Sequence, residues 1–281
     1  MSRPGSDFYV RFWGVRGSIP APGARTARYG GNTPCVEIRC GDVRMVFDLG
    51  SGLRELGESI LAEKVPVESH LFLSHYHYDH VQGIPFFTPL FIPPNRFTFR
   101  GPRAGGFDVK SVIEGQMVQP FFPIPASFFR AQLGFEDAWA GMELKLGEAT
   151  VRAVDLQHPG GCLGYRVEYR GRSVVYFTDV EFHPAVDPRA VEFARGADLF
   201  VCDAMYTRDE YEGRAGAPKV GWGHSTWEAA VEAADAAQAK TLVVFHHDPT
   251  RSDEALDGFM DTVRRRRPEA IPATEGMFIE P

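Results

Sequence analysis

The stretch "SHYHYDHVQG", residues 74–83, constrains this chain more than any other. The chain holds nine histidines, and His75, His77 and His80 fall within six positions beside Asp79. Imidazole and carboxylate are the ligand set of zinc, iron and manganese sites. In an extended segment His75, His77 and Asp79 project to one side. His80 breaks that period, so the chain is expected to turn there and to divide the four side chains between two ions. The cluster begins where the apolar run "SHLFL" ends. Ligands in α/β proteins sit there, beyond the carboxyl ends of strands.

The rest of the chain repeats that arrangement. "FYVRFWGV", "CVEIRC" and "VRMVF" read as strands, followed by Asp48 in a Gly-Ser-Gly turn. "LRELGESILAEK" has helical spacing of Leu53, Leu56, Ile60 and Leu61. Later, "ATVRAVDLQH", "GYRVEYRG" and "SVVYFTDV" are strands, and "DPRAVEFARG" is a helix with Asp187 as cap, Pro188 in its first turn and Gly196 as stop. "ADLFVCDA" and "KTLVVF" are strands around the helix "STWEAAVEAADAAQA", for which Ser225 and Glu228 predict a capping box. Two α/β halves packed sheet on sheet, with helices outside, are expected. Between them the Phe- and Pro-rich segments "FFTPLFIPPNRFTFRGPRAGG" and "QPFFPIPASFF" read as an irregular cap, lid or interface and as poor material for regular helix or central strand.

Four ligands do not satisfy two ions, and the sequence offers more at other strand ends. His158 follows one strand, Asp179 ends another, and His246 and His247 follow "TLVVF". His224 precedes the helix of the second half. His70 and His183 lack such settings and are expected to be ordinary histidines.

These residues carry a resemblance. "HYHYDH" matches the HxHxDH signature of the metallo-β-lactamase superfamily, and His158, Asp179 and His246 follow in its order. Within it the chain is most similar to the ribonuclease Z-type phosphodiesterases. "GIPFFTPLF" and "FTFRGP" resemble their segment after the metal motif, "CDAMY" their "HEATF", "GHST" their "HST", and "VVFHHD" their "LTHFS". "FWGVRGSIP" with "GGNTPC" resembles a branch of bacterial hydrolases with the same body. The resemblance implies a four-layer αββα sandwich, two mixed sheets face to face with helices outside. It is expected to form one domain over 1–281, with the Phe/Pro-rich insertion at about 86–140.

It further implies a dinuclear centre. His75, His77 and His158 would hold one divalent ion, Asp79, His80 and His246 the other, and Asp179 would bridge. His246 is chosen over His247 because the first histidine of "LTHFS" is the ligand. Zinc is the expected metal and manganese the alternative. Two such ions ~3.5–4 Å apart lower the pKa of a shared water and offset charge on a phosphoryl oxygen. His224 would supply the proton, with Asp203 setting its tautomer. The candidate catalytic residues are therefore Asp79, His224 and Asp203. Asp48 is expected to tie a ligand loop together, and Arg16 and Asn32 are candidate phosphate contacts with ordinary loop roles as the stronger reading.

A small phosphodiester such as a cyclic nucleotide is the expected substrate. Enzymes that process transfer RNA carry a long arm between the third histidine and the bridging aspartate. Here "GCLGYRVEYRGRSVVYF" fills that interval with two strands. A net charge of −7 also argues against a long nucleic acid partner. Phe86, Phe87, Phe121 and Phe122 are candidates to stack on a base. The alternatives are an RNA 3′-end nuclease of the ribonuclease Z type, a hydrolase of a lactone, β-lactam or cyclic phosphonate ester, and, from another class, a non-catalytic ligand-binding member. Such members usually lose ligands, and this chain keeps seven. The four cysteines are expected in the core. No apolar leader or span is present, so a cytoplasmic protein is expected, off the membrane and homodimeric through the Phe/Pro insertion.

Overall fold

The alternating run at the N-terminus founds the first of two sheets. In the computed structural model, which describes residues 6–281, β1 (Phe8–Gly14), β2 (Cys35–Cys40) and β3 (Val43–Phe47) are an antiparallel meander. The helix α1 (Leu53–Ala62) then crosses to β4 (Glu68–Phe72), parallel to β3. After the histidine cluster come one helical turn, α2 (Tyr78–Val81), then β5 (Arg96–Gly101), α3 (Val109–Gln116) and β6 (Gln132–Asp137). β5 and β6 extend the parallel side of the sheet.

The second sheet has the same plan. β7 (Glu143–Leu146), β8 (Ala149–Leu156), β9 (Cys162–Tyr169) and β10 (Arg172–Phe177) are antiparallel. α4 (Pro188–Ala194) leads to β11 (Leu199–Asp203). The short α5 (Arg208–Tyr211) and α6 (Trp227–Ala236) lead to β12 (Thr241–Phe245), and α7 (Asp253–Arg266) to β13 (Ile271–Pro272). β10 to β13 are parallel neighbours. Finally β14 (Phe278–Ile279) returns to pair with β1. The orders are β14-β1-β2-β3-β4-β5-β6 and β13-β12-β11-β10-β9-β8-β7. Each sheet thus switches from antiparallel to parallel pairing at a central strand, β3 or β10.

Period-2 alternation supplies the layer between the sheets. Phe12, Phe47, Phe72, Tyr165, Tyr176 and Phe245 are all buried there, with Phe47 stacked on Phe72 at 5.0 Å. Each such ring contributes about 1.5–3 kcal/mol by leaving water. The outer face of the first sheet is covered by α1 and α3 through Leu53, Leu56, Ile60 and Ile113. The outer face of the second is covered by α4, α6 and α7 through Ala190, Val231, Leu256 and Met260. Four layers result, helix–sheet–sheet–helix. All four cysteines are buried and free. Among the described residues no helix is long and apolar enough to cross a membrane.

Three local expectations need correction. "RFTFRG", from the Phe/Pro-rich region, is the interior strand β5. Its prolines stop at Pro94 and resume at Pro102, while Phe97 and Phe99 are buried. The α6 cap is Thr226, whose hydroxyl accepts from the Ala229 amide. Ser225 is one residue too early, and its hydroxyl instead donates to the Val180 carbonyl. The turn in the histidine cluster begins one residue after His77, so Asp79 already lies in α2 rather than in an extended run.

Candidate metal centre

The switch points place the functional side chains. β3, β4, β8, β10, β11 and β12 all end on one edge of the sandwich. Just beyond them stand Asp48, the His75–His80 segment, His158, Asp179, Asp203 and His246. This is the crevice that the parallel-sheet rule designates for ligands.

Three groups of possible ligands form there and share Asp179, all buried but for the exposed His77; the third is Asp179, Asp203, His224 and His246. His75, His77, His158 and Asp179 offer ligand atoms within 4.8 Å of one another, and so do Asp79, His80, Asp179 and His246. In the first, His75 Nε2 and His158 Nε2 each lie 3.0 Å from His77 Nδ1. The Asp179 carboxylate stands 3.6 Å from His75 and 3.7 Å from His158. In the second, His80 Nε2 and His246 Nε2 are each 3.2 Å from Asp179 Oδ1, and 3.2 and 3.3 Å from Asp79 Oδ2.

The donor set fits divalent cations. His158 donates its Nδ1 proton to the Gly223 carbonyl at 2.8 Å, so Nε2 presents a lone pair. The Ser74 hydroxyl is given to Asp48, so His75 Nδ1 donates to Ser74 Oγ and its Nε2 also presents a lone pair. Two lone pairs thus converge on His77 Nδ1, where a single N–H cannot serve both. Burial first, and then neighbouring His80, holds His75 well below the usual histidine range. Burial likewise lowers His77, and lowers His158 to about 4. Neutral imidazoles are what a cation needs. In the second cluster burial opposes charge on His80, but Asp79, Asp179 and Asp48 outweigh it and draw a positive charge to this spot. Two carboxylates as buried as Asp79 and Asp179 require such a counter-charge.

The supporting shell is largely backbone. Asp48, at φ +59°, accepts from the Ser74 amide and hydroxyl and the Tyr176 hydroxyl, and stands 2.9 Å from His80 Nδ1. It does tie the ligand loop, as expected. The Ser18 amide donates to Asp79 Oδ2 at 2.7 Å. Gly17 lies so close to His246 that a Cβ there would be 2.5 Å from its ring. Ser18, Gly17, Ser74 and Gly223 were not singled out from the sequence; the glycines of "GVRGS" and "GWGHS" were the available signal.

His224 and Asp203 come together as anticipated. His224 Nδ1 is 2.8 Å from Asp203 Oδ2 and 3.9 Å from the Asp179 carboxylate. Burial works against charge on His224, and Asp203 outweighs it, raising the group to about 9. Its Nε2 is left free, and the ring lines an opening of about 320 Å³ with Ser18, Tyr76, His77, Tyr78, Asp79 and Asp179.

Other candidates fall elsewhere. His247 donates its Nε2 proton to the Ala273 carbonyl, 2.9 Å away, and joins none of the ligand groups. Arg16 is fully buried and donates to the carbonyls of Gly30, Asp248 and Arg251, and Asn32 pairs with Glu275. Both serve loop structure, the stronger of the two readings for them. Phe87 is buried in the first sheet's outer core, so it cannot stack on a base. Phe86 and Phe121 are exposed, but the rings at the opening are Tyr76 and Tyr78. His70 stands beside Arg100 and His183 beside Tyr211, away from both clusters.

The family model of the beta-lactamase superfamily domain matches residues 44–247, which contain both clusters except for their N-terminal supports. The chain belongs to this superfamily. Its metallo-β-lactamase fold, a scaffold of metal-dependent hydrolases, accounts for the paired sheets and the two His/Asp clusters. Ribonuclease Z of Clostridium acetobutylicum is 24% identical over 257 residues, spanning 75% of this chain and 80% of the relative. Among solved structures, the metallo-β-lactamase fold protein YhfI of Bacillus subtilis superposes with a TM-score of 0.73 at 19% identity, covering 98% of this chain and 99% of that one. A diphosphatase of the PhnP family superposes with a TM-score of 0.71 at 18% identity, covering 97% of both.

Proposed function

We propose that this chain is a dinuclear metal-dependent phosphodiesterase, a single cytoplasmic domain that hydrolyses a small phosphodiester such as a cyclic nucleotide. The observation that carries the reading is the sharing of Asp179 by two ligand clusters, with the His224–Asp203 pair beside them at the opening. His75, His77 and His158 would hold one divalent cation and Asp79, His80 and His246 the other, with Asp179 within reach of both. Zinc suits this nitrogen and oxygen donor set, with manganese the alternative. When bound, the pair supplies Lewis acidity that lowers the pKa of water and offsets charge building on a phosphoryl oxygen. His224, its Nδ1 held by Asp203, presents Nε2 to the opening and gives a proton to the leaving oxygen. Asp79, fixed by the Ser18 amide, keeps its carboxylate aimed between His80 and His246. Tyr78, 83% exposed at the opening, offers a face on which a base can stack.

The likeness to ribonuclease Z favours a second reading, RNA 3′-end processing. Against it stand the tight β9–β10 turn at Arg170–Gly171, which leaves no room for an arm, and the net charge of −7. The protein should be purified without chelator, analysed for metal, and assayed on bis-p-nitrophenyl phosphate, cyclic nucleotides, a precursor transfer RNA and a chromogenic lactone. Turnover of the small phosphodiesters supports the proposal. Cleavage of the RNA alone, or of the lactone alone, replaces it with the corresponding alternative.

A further inference from the structure

We infer that Glu181 is a positioning residue that locks the third histidine of the first cluster and the proton donor to one another, an inference that rests on the metal centre proposed above. Glu181 is 4% exposed and lies two residues beyond Asp179. Three donors converge on its carboxylate. The Tyr211 hydroxyl and the Gly221 amide, at 2.6 Å, donate to Oε1, and the Gly223 amide donates to Oε2 at 2.9 Å. The Glu181 amide in turn donates to the Gln157 carbonyl at 2.9 Å, which fixes its own backbone beside His158.

The consequence lies at Gly223. Its amide is held by Glu181, and its carbonyl accepts the Nδ1 proton of His158. One peptide segment therefore relays the carboxylate's position to the tautomer of His158. Gly223 has φ +88°, and a Cβ there would come within 2.1 Å of His158 Nδ1, so the approach is close and admits only glycine. The next residue is His224. A carboxylate that pins Gly221 and Gly223 thus sets both an imidazole of the first cluster and the start of the segment bearing the proton donor. Nothing apolar could replace it, because the buried Gly223 amide would lose its acceptor. A glutamine keeps one carbonyl oxygen but points an NH₂ at donors.

The variant to make is Glu181→Gln, checked for folding by circular dichroism. Three readouts are independent of turnover. In metal-free protein, ¹⁵N shifts should show the His158 Nδ1–H tautomer in wild type and a mixture in the variant. Trypsin should cleave after Arg214 or Lys219 faster in the variant, with the rest of the chain equally resistant. Chelator competition should show metal bound about 10–100-fold more weakly, the usual effect of removing the group behind a ligating histidine. Tyr211→Phe, which removes the one of the three donors outside the Gly221–Gly223 segment, should leave the tautomer and the metal affinity at wild-type values. Should Glu181→Gln fail to fold, Glu181→Asp, with its carboxylate withdrawn by one methylene, is read by the same three measurements. A wild-type tautomer together with wild-type cleavage and affinity overturns the inference. If wild type itself takes up no metal, the metal centre falls, while the tautomer and the cleavage rate still decide the role of Glu181.

Discussion

His224 Nδ1 and Asp203 Oδ2 are 2.8 Å apart, in a site where His224 belongs to neither cluster that shares the His75–His80 segment. Both residues also stand with Asp179 and His246 in a third possible ligand group, so proton donation and metal binding by His224 are rival roles that can be tested. His224→Ala is expected to fold and to keep its metal, yet to lose phosphodiesterase activity by about 10²–10⁴-fold, the range for a positioned acid–base group. His77→Ala should lose metal along with activity. Asp203→Asn should fall between wild type and His224→Ala, and should cost little when added to it, because the pair acts as a unit. Metal content and kinetics on the same preparations check this. A wild-type rate in His224→Ala would remove the phosphodiesterase role from "GHST".

Asp179 faces both clusters at 3.2–3.7 Å, and no other side chain belongs to both. Elemental analysis is therefore expected to find about two transition-metal ions per chain, as a two-metal site requires. Asp179→Ala should lose at least one of them. A reproducible content of one ion after remetallation of wild type contradicts the dinuclear reading.

The candidate ligands were legible in the sequence because their segments follow strand ends, and strand ends show as changes of hydrophobic pattern. His75, Asp179 and His246 are such cases. The supports were less visible because they act through backbone. The Ser18 amide on Asp79 and the Gly223 carbonyl on His158 leave no side-chain signature, and Glu181 resembles any acid in a loop. β5 was obscured by flanking prolines, which read as irregular structure although the six residues between them pair on both sides. Phe87 was misjudged because a single sequence does not show which face of a loop turns inward.

Arg16 illustrates what burial does to a candidate ligand contact. Its guanidinium serves three carbonyls and lies 3.6 Å from Asp253, with no exposed surface. Arg16→Ala is expected to destabilise the fold by about 3–5 kcal/mol, the usual cost of breaking a buried charged pair, and to leave KM unchanged. Urea unfolding of metal-free protein and steady-state kinetics check both halves. A stable variant with a raised KM would restore the phosphate-contact reading.

Phe86, Phe121 and Phe128 expose 60, 83 and 55% of their surface on the Phe/Pro-rich segment. Exposed aromatic clusters of this kind mark contact surfaces. Light scattering is expected to give about twice the chain mass of 31.3 kDa. A particle of one chain mass at working concentration excludes the homodimer.

Gly17 provides a way to disturb one cluster and spare the other. A methyl group there would stand 2.4 Å from Met205 Cε and 2.5 Å from His246 Cε1 and Nδ1. The backbone cannot retreat easily, because the Gly17 amide donates to the His247 carbonyl and the next amide donates to Asp79. Nor can the ring, which stacks between His80 at 5.5 Å and His224 at 4.9 Å. Overpacking of this sort costs about 1–3 kcal/mol, which corresponds to about 5–150-fold in affinity if it falls on the bound state. Gly17→Ala should therefore weaken the ion held by Asp79, His80 and His246 by that factor. The ion held by His75, His77 and His158 should bind as in wild type, since none of those rings touches Gly17. Gly115→Ala, at a helical position where a Cβ meets nothing within 4 Å, is the control. Calorimetric titration of metal-free protein resolves the two events. Two unchanged affinities in Gly17→Ala would show that His246 is not a ligand, and the choice between His246 and His247 would reopen.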